Sequence, residues 1–152
     1  MTSILMVCLG NICRSPLAHG LLASKLPDDS FYVDSAGTAD YHIGNLPDHR
    51  SIAVAKTHRI DISTQEARQF RISDFDTFDY IYVMDHSNFE TIVKLARQTN
   101  DISKVKLILE ADTSITDKRV PDPYYGDHYG FERVFTLLDN VTTIISKQLL
   151  SK

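Results

Sequence analysis

Two kinds of apolar pattern alternate along the chain. Ile4 to Val7, Phe31 to Ser35, Asp79 to Met84 and Val105 to Leu109 are short runs rich in aliphatic, β-branched or aromatic residues, and they predict four strands. Between them the apolar residues take helical spacing. Leu17, Leu21, Leu22 and Leu26 form one stripe, with Ser15-Pro16 read as cap and first-turn proline, and Pro27-Asp28-Asp29 as its end. Pro47-Asp48 opens a second helix reaching about His58, with the carboxylate in its first turn. Ser87 and Glu90 stand at capping-box spacing and predict a helix from about Asn88 to Gln98, with Phe89, Ile92, Val93 and Ala96 inward. The longest stripe, Phe131, Val134, Phe135, Leu138, Val141, Ile145 and Leu149, predicts a terminal helix.

Strands alternating with helices predict an α/β fold: a doubly wound four-stranded parallel sheet with helices on both faces, in a single domain over residues 1–152. Ligands in such folds sit beyond the carboxyl ends of the strands. That places the loop after Val7, Ser35, Asp85 and the segment after Leu109 at one end of the molecule.

Composition narrows the function classes. With 43 % hydrophobic and 24 % charged residues, the chain is ordinary for a water-soluble domain with one core, and it contains no internal repeat. A net charge of −4 without a Lys/Arg run argues against a nucleic-acid partner. The opening residues have neither the basic region nor the long apolar core of a signal peptide, so no membrane partner is expected. Two cysteines, one of them needed as thiolate, point to a reducing compartment, the cytoplasm.

The chemistry concentrates in Val7-Cys8-Leu9-Gly10-Asn11-Ile12-Cys13-Arg14-Ser15-Pro16, read as strand, loop, helix. Gly10 and Asn11 tolerate left-handed backbone, so successive N–H groups from Leu9 to Ser15 can converge on one anion at a helix N-terminus. Cys8, facing that positive end and Arg14, is favoured as thiolate and becomes a nucleophile. Arg14 offers a planar fork for two phosphate oxygens, and Ser15 can donate a proton toward the departing sulfur. A metal site is disfavoured because there is no second Cys pair and no His-x3–5-His spacing, and a nucleotide loop because Gly-Lys-Ser/Thr is missing. No cofactor is expected. Further along, Val120-Pro121-Asp122-Pro123-Tyr124-Tyr125-Gly126 lies in about twenty residues without periodicity, and its prolines present the Asp122 carboxylate on a stiff support.

Cys-x5-Arg-Ser near the N-terminus and Asp-Pro-Tyr-Tyr near the C-terminus together resemble the low molecular weight protein tyrosine phosphatases, over nearly the whole chain. The resemblance implies hydrolysis of phosphotyrosine through a phosphocysteine, with Cys8 and Arg14 catalytic and Asp122 as general acid and base. It implies a substrate cleft formed by Leu9, Gly10, Asn11, Ile12, Cys13 and Ser15 and walled by Tyr41, Tyr124 and Tyr125. Phosphotyrosine proteins are the implied partners, together with a tyrosine kinase acting on Tyr124 or Tyr125. Asn11 becomes the strained loop residue, held by Ser15 and Ser35. Family members often add a histidine from the segment after the second helix, where this chain has Ser63-Thr64-Gln65-Glu66-Ala67. Arsenate reductases that share the loop need a further distant cysteine pair, and a silent phosphate-binding module would lack Cys8, Arg14 or Asp122; neither condition is met. Cys13, the other thiol, is expected to trap oxidised Cys8 as a reversible disulfide.

Overall fold

The computed structural model describes residues 1–126 and 128–152. Four strands, β1 (Thr2–Cys8), β2 (Phe31–Gly37), β3 (Tyr80–Val83) and β4 (Val105–Leu107), form a parallel sheet in the order β2-β1-β3-β4. The helices are α1 (Arg14–Lys25), α2 (His49–Thr57), α3 (Asp74–Thr77), α4 (His86–Lys94), α5 (Thr99–Ser103) and α6 (His128–Leu150), with a 3-10 turn over Ile108–Ala111. The chain leaves β1 toward β2 on one side and returns to β3 on the other. This reversal of direction puts the crevice at the carboxyl end of β1.

Side-chain alternation along β1 separates two cores. Ile4, Met6 and Cys8 pack with Leu17, Leu21 and Leu22 of α1 and with Phe131, Phe135 and Leu138 of α6. Leu5 and Val7 face the opposite layer, with Phe70, Phe75, Phe78 and Ile92. β1 is thus buried on both sides, which explains why its sequence reads as a continuous apolar run. Each such side chain contributes about 1.5–3 kcal/mol. A cation fastens the two helices of the first layer: Lys25 Nζ donates to the Asp139 carbonyl at 2.8 Å and carboxylate at 2.7 Å.

Several boundaries differ from the sequence expectation. α1 begins at Arg14 rather than after Ser15, with Cys13 as N-cap and no side-chain cap bond. Asp48 is the N-cap of α2 rather than a first-turn residue, its carboxylate accepting from the Arg50 N–H. α4 starts at His86 because Asp85, not Ser87, caps it, accepting from the Asn88 N–H at 2.8 Å. It stops at Lys94, and the Asp101 carboxylate takes the Arg97 N–H just beyond. β2 runs two residues past Ser35 to Gly37, whereas β4 ends at Leu107, where the backbone tightens into the 3-10 turn. Among the described residues, no helix is long and apolar enough to cross a membrane.

Candidate active site

The loop between β1 and α1 is shaped by where its carbonyls go. Those of Cys8 and Leu9 accept from the Thr38 and Ala39 N–H groups at 2.9 Å each, that of Ile12 from Asp48 at 2.7 Å, and that of Cys13 from the Ser51 hydroxyl at 3.3 Å. With the carbonyls tied to the surrounding segments, the N–H groups are left for the inner side of the loop. The N-terminus of α1, uncapped by any side chain, adds its dipole there. The result is an anion cup.

Asn11 makes the turn possible. Its φ of 58° lies in the left-handed region, which asparagine tolerates. Its side chain is held from three sides: Nδ2 donates to Ser15 Oγ at 2.8 Å and Ser35 Oγ at 3.0 Å, and Oδ1 accepts from the Arg68 N–H at 3.0 Å. This last bond comes from the segment after α2, through the main chain. Ser15, which does not cap the helix, sits 3.0 Å from Cys8 Sγ. Asn11 and Ser15 are buried behind the loop, so their side chains shape the cup rather than line it.

Gly37 supports the loop from outside. A Cβ there would lie 2.7 Å from the Leu9 carbonyl oxygen and 3.1 Å from Gly10 C. Gly37→Ala should therefore displace the loop backbone and, because ångström-scale misplacement costs up to about 10²-fold, lower turnover by roughly 10–10²-fold. Steady-state kinetics check this; an unchanged kcat would contradict the close fit.

Arg14 is buried and closes one wall. Nη1 donates to Asp85 Oδ2 at 2.7 Å and to the Val120 carbonyl at 3.1 Å, while Nη2 lies 3.6 Å from Asp122 Oδ2. Burial opposes its charge, but the field of Cys8, the bond to Asp85 and the nearby Asp122 outweigh it and raise its pKa. Val120 is itself anchored, its N–H donating to the Met84 carbonyl at 2.9 Å. The irregular segment is thereby fixed where Asp122 overhangs Arg14. Asp122 is part-exposed and accepts from the Tyr124 N–H at 3.0 Å.

The cleft is lined by Cys8, Leu9, Gly10, Ile12, Cys13 and Arg14 from the loop, by Tyr41 and His42, and by Asp122, Tyr124 and Tyr125. The Tyr124 ring stands edge-on to Tyr125, with centroids 4.9 Å apart, and tilted toward His42 at 6.2 Å. Ser35 lies outside the cleft, behind Asn11. Cys13 is buried; burial, with the Asp48 carboxylate adding to it, pushes its thiol far above the ordinary range and keeps it protonated.

Several functional positions escaped the sequence. Asp85 both caps α4 and braces Arg14. Arg50 reaches from Asp48 to the Tyr124 carbonyl at 3.0 Å, its guanidinium 5.7 Å over the Tyr124 ring. His42 and Arg68 complete the set. Only Asp85 carried a signal, as an acid closing a strand at the binding end of the sheet. Among the described residues, no group of three or more His, Cys, Asp or Glu could hold a metal ion.

A doubly wound sheet whose first strand ends in a Cys-x5-Arg anion cup is the arrangement of the cysteine-dependent phosphatases. The family model of the low molecular weight phosphotyrosine protein phosphatases matches residues 3–152, and the chain belongs to that family. It is 41 % identical to the Homo sapiens low molecular weight phosphotyrosine protein phosphatase over 88 % of this chain and 86 % of that one. The crystal structure of a protein tyrosine phosphatase from Entamoeba histolytica superimposes with a TM-score of 0.93 at 33 % identity, covering 99 % of this chain and 98 % of the other. Vibrio vulnificus Wzb, solved in complex with benzylphosphonate, gives a TM-score of 0.86 at 28 % identity, covering 97 % and 98 %.

Proposed function

We propose that this protein hydrolyses phosphotyrosine, and small aryl phosphates, through a phosphocysteine intermediate without a metal. The observation that carries the reading is the convergence at Arg14, which bonds Asp85, lies 3.6 Å from Asp122 and shares the cup with Cys8. Cys8 Sγ attacks phosphorus as the bond to the phenolic oxygen breaks, while Asp122 gives that oxygen its proton. Arg14 and the loop N–H groups stabilise the charge on the equatorial oxygens. A water then attacks phosphorus, losing its proton to the Asp122 carboxylate, and the sulfur leaves as thiolate accepting from the Ser15 hydroxyl.

Several features favour an aryl ester. A phenol with pKa about 10 leaves more readily than an alkoxide. Tyr41, Tyr124 and Tyr125 present ring faces worth about 0.5–1.5 kcal/mol per well-placed pair. The benzylphosphonate held by the Vibrio relative joins an aromatic ring to a phosphate-like group, the same two chemistries. Phosphotyrosine proteins are thus the substrate class, in a reducing compartment such as the cytoplasm. Tyr125, 94 % exposed, is better presented to a kinase than Tyr124 at 36 %. Cys13, the neighbouring thiol, is the partner for a protective disulfide when Cys8 is oxidised.

Turnover of p-nitrophenyl phosphate and phosphotyrosine peptide in the presence of a chelator, against none of phosphoserine peptide, is the expected result; equal rates on the two peptides contradict it. Asp122→Asn should cost about 10²–10⁴-fold, the range of a general acid. The loss should shrink as the leaving phenol becomes more acidic. A constant loss across phenols would exclude Asp122 as the proton donor.

A further inference from the structure

The structure assigns His19 as a positioning residue for this reaction, an imidazole with its proton on Nε2 whose Nδ1 accepts the Ser35 hydroxyl and so completes the hydrogen-bond network that holds the Asn11 turn. The assignment rests on the phosphatase reading for its consequence and on hydrogen-bond polarity for its content.

The direction is set from both ends. The Arg68 main-chain N–H can only donate, so the atom of Asn11 it meets at 3.0 Å is Oδ1 and the Asn11 amide group must face the two serines. Both amide protons of Asn11 are then spent on Ser15 Oγ and Ser35 Oγ. Each serine oxygen is an acceptor there and must place its own proton elsewhere. Ser15 has Cys8 Sγ at 3.0 Å and the Ala36 carbonyl only at 3.5 Å. For Ser35, whose hydroxyl is buried, the other partner among the described residues is His19 Nδ1 at 3.2 Å. Nδ1 is therefore the acceptor and carries no proton.

At the far end the Pro16 carbonyl can only accept, so the Gln65 atom 3.2 Å from it is Nε2. That leaves Gln65 Oε1, which is buried and has no hydrogen-bond partner among the described residues. The Gln65 side chain acts on the His19 ring in the sense that favours a proton there. With Nδ1 committed to Ser35, the nitrogen that carries this proton is Nε2. Burial lowers the pKa of the ring, against the raising effect of Asp34, and opposes the doubly protonated form that would reverse the polarity at Ser35.

The network thus reads Ser35 to His19, Asn11 to Ser35 and Ser15, and Ser15 to the Cys8 sulfur, with Gln65 donating separately to the Pro16 carbonyl. Within it, each proton of the Asn11 amide and of the two serine hydroxyls has an acceptor. A ring protonated on Nδ1 would turn a donor toward Ser35, whose own proton would then lose its acceptor.

Long-range ¹H–¹⁵N correlation on the wild-type protein at pH 7 tests the tautomer without any substitution: His19 should show a protonated Nε2 and an unprotonated Nδ1, and a protonated Nδ1 overturns the assignment. Kinetics then test the role. His19→Leu removes the acceptor and should lower kcat on p-nitrophenyl phosphate about tenfold with KM nearly unchanged, an effect of loop misplacement. His19→Asn, whose Oδ1 can stand where Nδ1 stood, should recover to within about threefold of wild type. Equal kcat for the leucine variant and wild type, or an asparagine variant no better than leucine, overturns the positioning role. Wild-type protein inactive on every aryl phosphate would sink the phosphatase reading instead, and the tautomer would still decide the hydrogen-bond chain.

Discussion

Cys8→Ser is expected to abolish turnover, by on the order of 10⁴-fold or more, as removal of a nucleophile does, while the protein still binds vanadate or phosphate within about tenfold of the wild-type affinity. The two effects separate because different atoms produce them. A serine hydroxyl is protonated at neutral pH and a far weaker nucleophile than a thiolate. The anion cup, by contrast, is built from carbonyls tied to Thr38, Ala39, Asp48 and Ser51 and from the Asn11 turn, none of which uses the sulfur. The exchange is nearly isosteric at a buried site, so the melting temperature should barely move. Isothermal titration with vanadate beside steady-state kinetics separates the outcomes. Residual turnover within tenfold of wild type would remove Cys8 from the chemistry.

Arg14→Lys keeps the charge and should still lose about 10²–10³ in kcat, the magnitude associated with losing one preorganised donor to a developing anion. The guanidinium satisfies Asp85 and the Val120 carbonyl through Nη1, while Nη2 lies 3.6 Å from Asp122 Oδ2 at the wall of the cleft. An ammonium group lacks that fixed fork, so it must give up either its support or the phosphate. Releasing Val120 also loosens the segment that carries Asp122. Two losses follow from one substitution: weaker binding of phosphate and a reduced benefit from Asp122. A double variant with Asp122→Asn should therefore fall less than the product of the two single losses, as expected for coupled residues. Strict multiplicativity, or a lysine variant near wild-type rate, would contradict the shared anchoring.

The sheet and its long helices were legible because burial imposes a period. β1 had to read as a continuous apolar run once both its faces were covered, and the α1 and α6 stripes had to recur at helical spacing to meet it. Helix starts were less legible. Asp85 and Ser87 are both sound caps, and the choice fell to Asp85, which also braces Arg14 at the end of β3. α3 and α5, at four and five residues, are too short to show a period. The loop from Cys8 to Ser15 was readable because its chemistry is contiguous. Arg50, Arg68 and His19 were not, since each acts through contacts with residues distant in sequence. Arg68 contributes a main-chain N–H, for which the side-chain sequence holds no signal.

The most direct test of the mechanism is to trap its intermediate. Protein turning over a ³²P-labelled aryl phosphate is quenched within milliseconds, digested, and the labelled peptide identified by mass spectrometry; Asp122→Asn protein, slowed in the hydrolysis step, is run in parallel. One labelled peptide, Cys8 bearing the phosphoryl group on sulfur, is the predicted result. Label on a serine, histidine or tyrosine, or none at all while phenol is released in a burst, would contradict it.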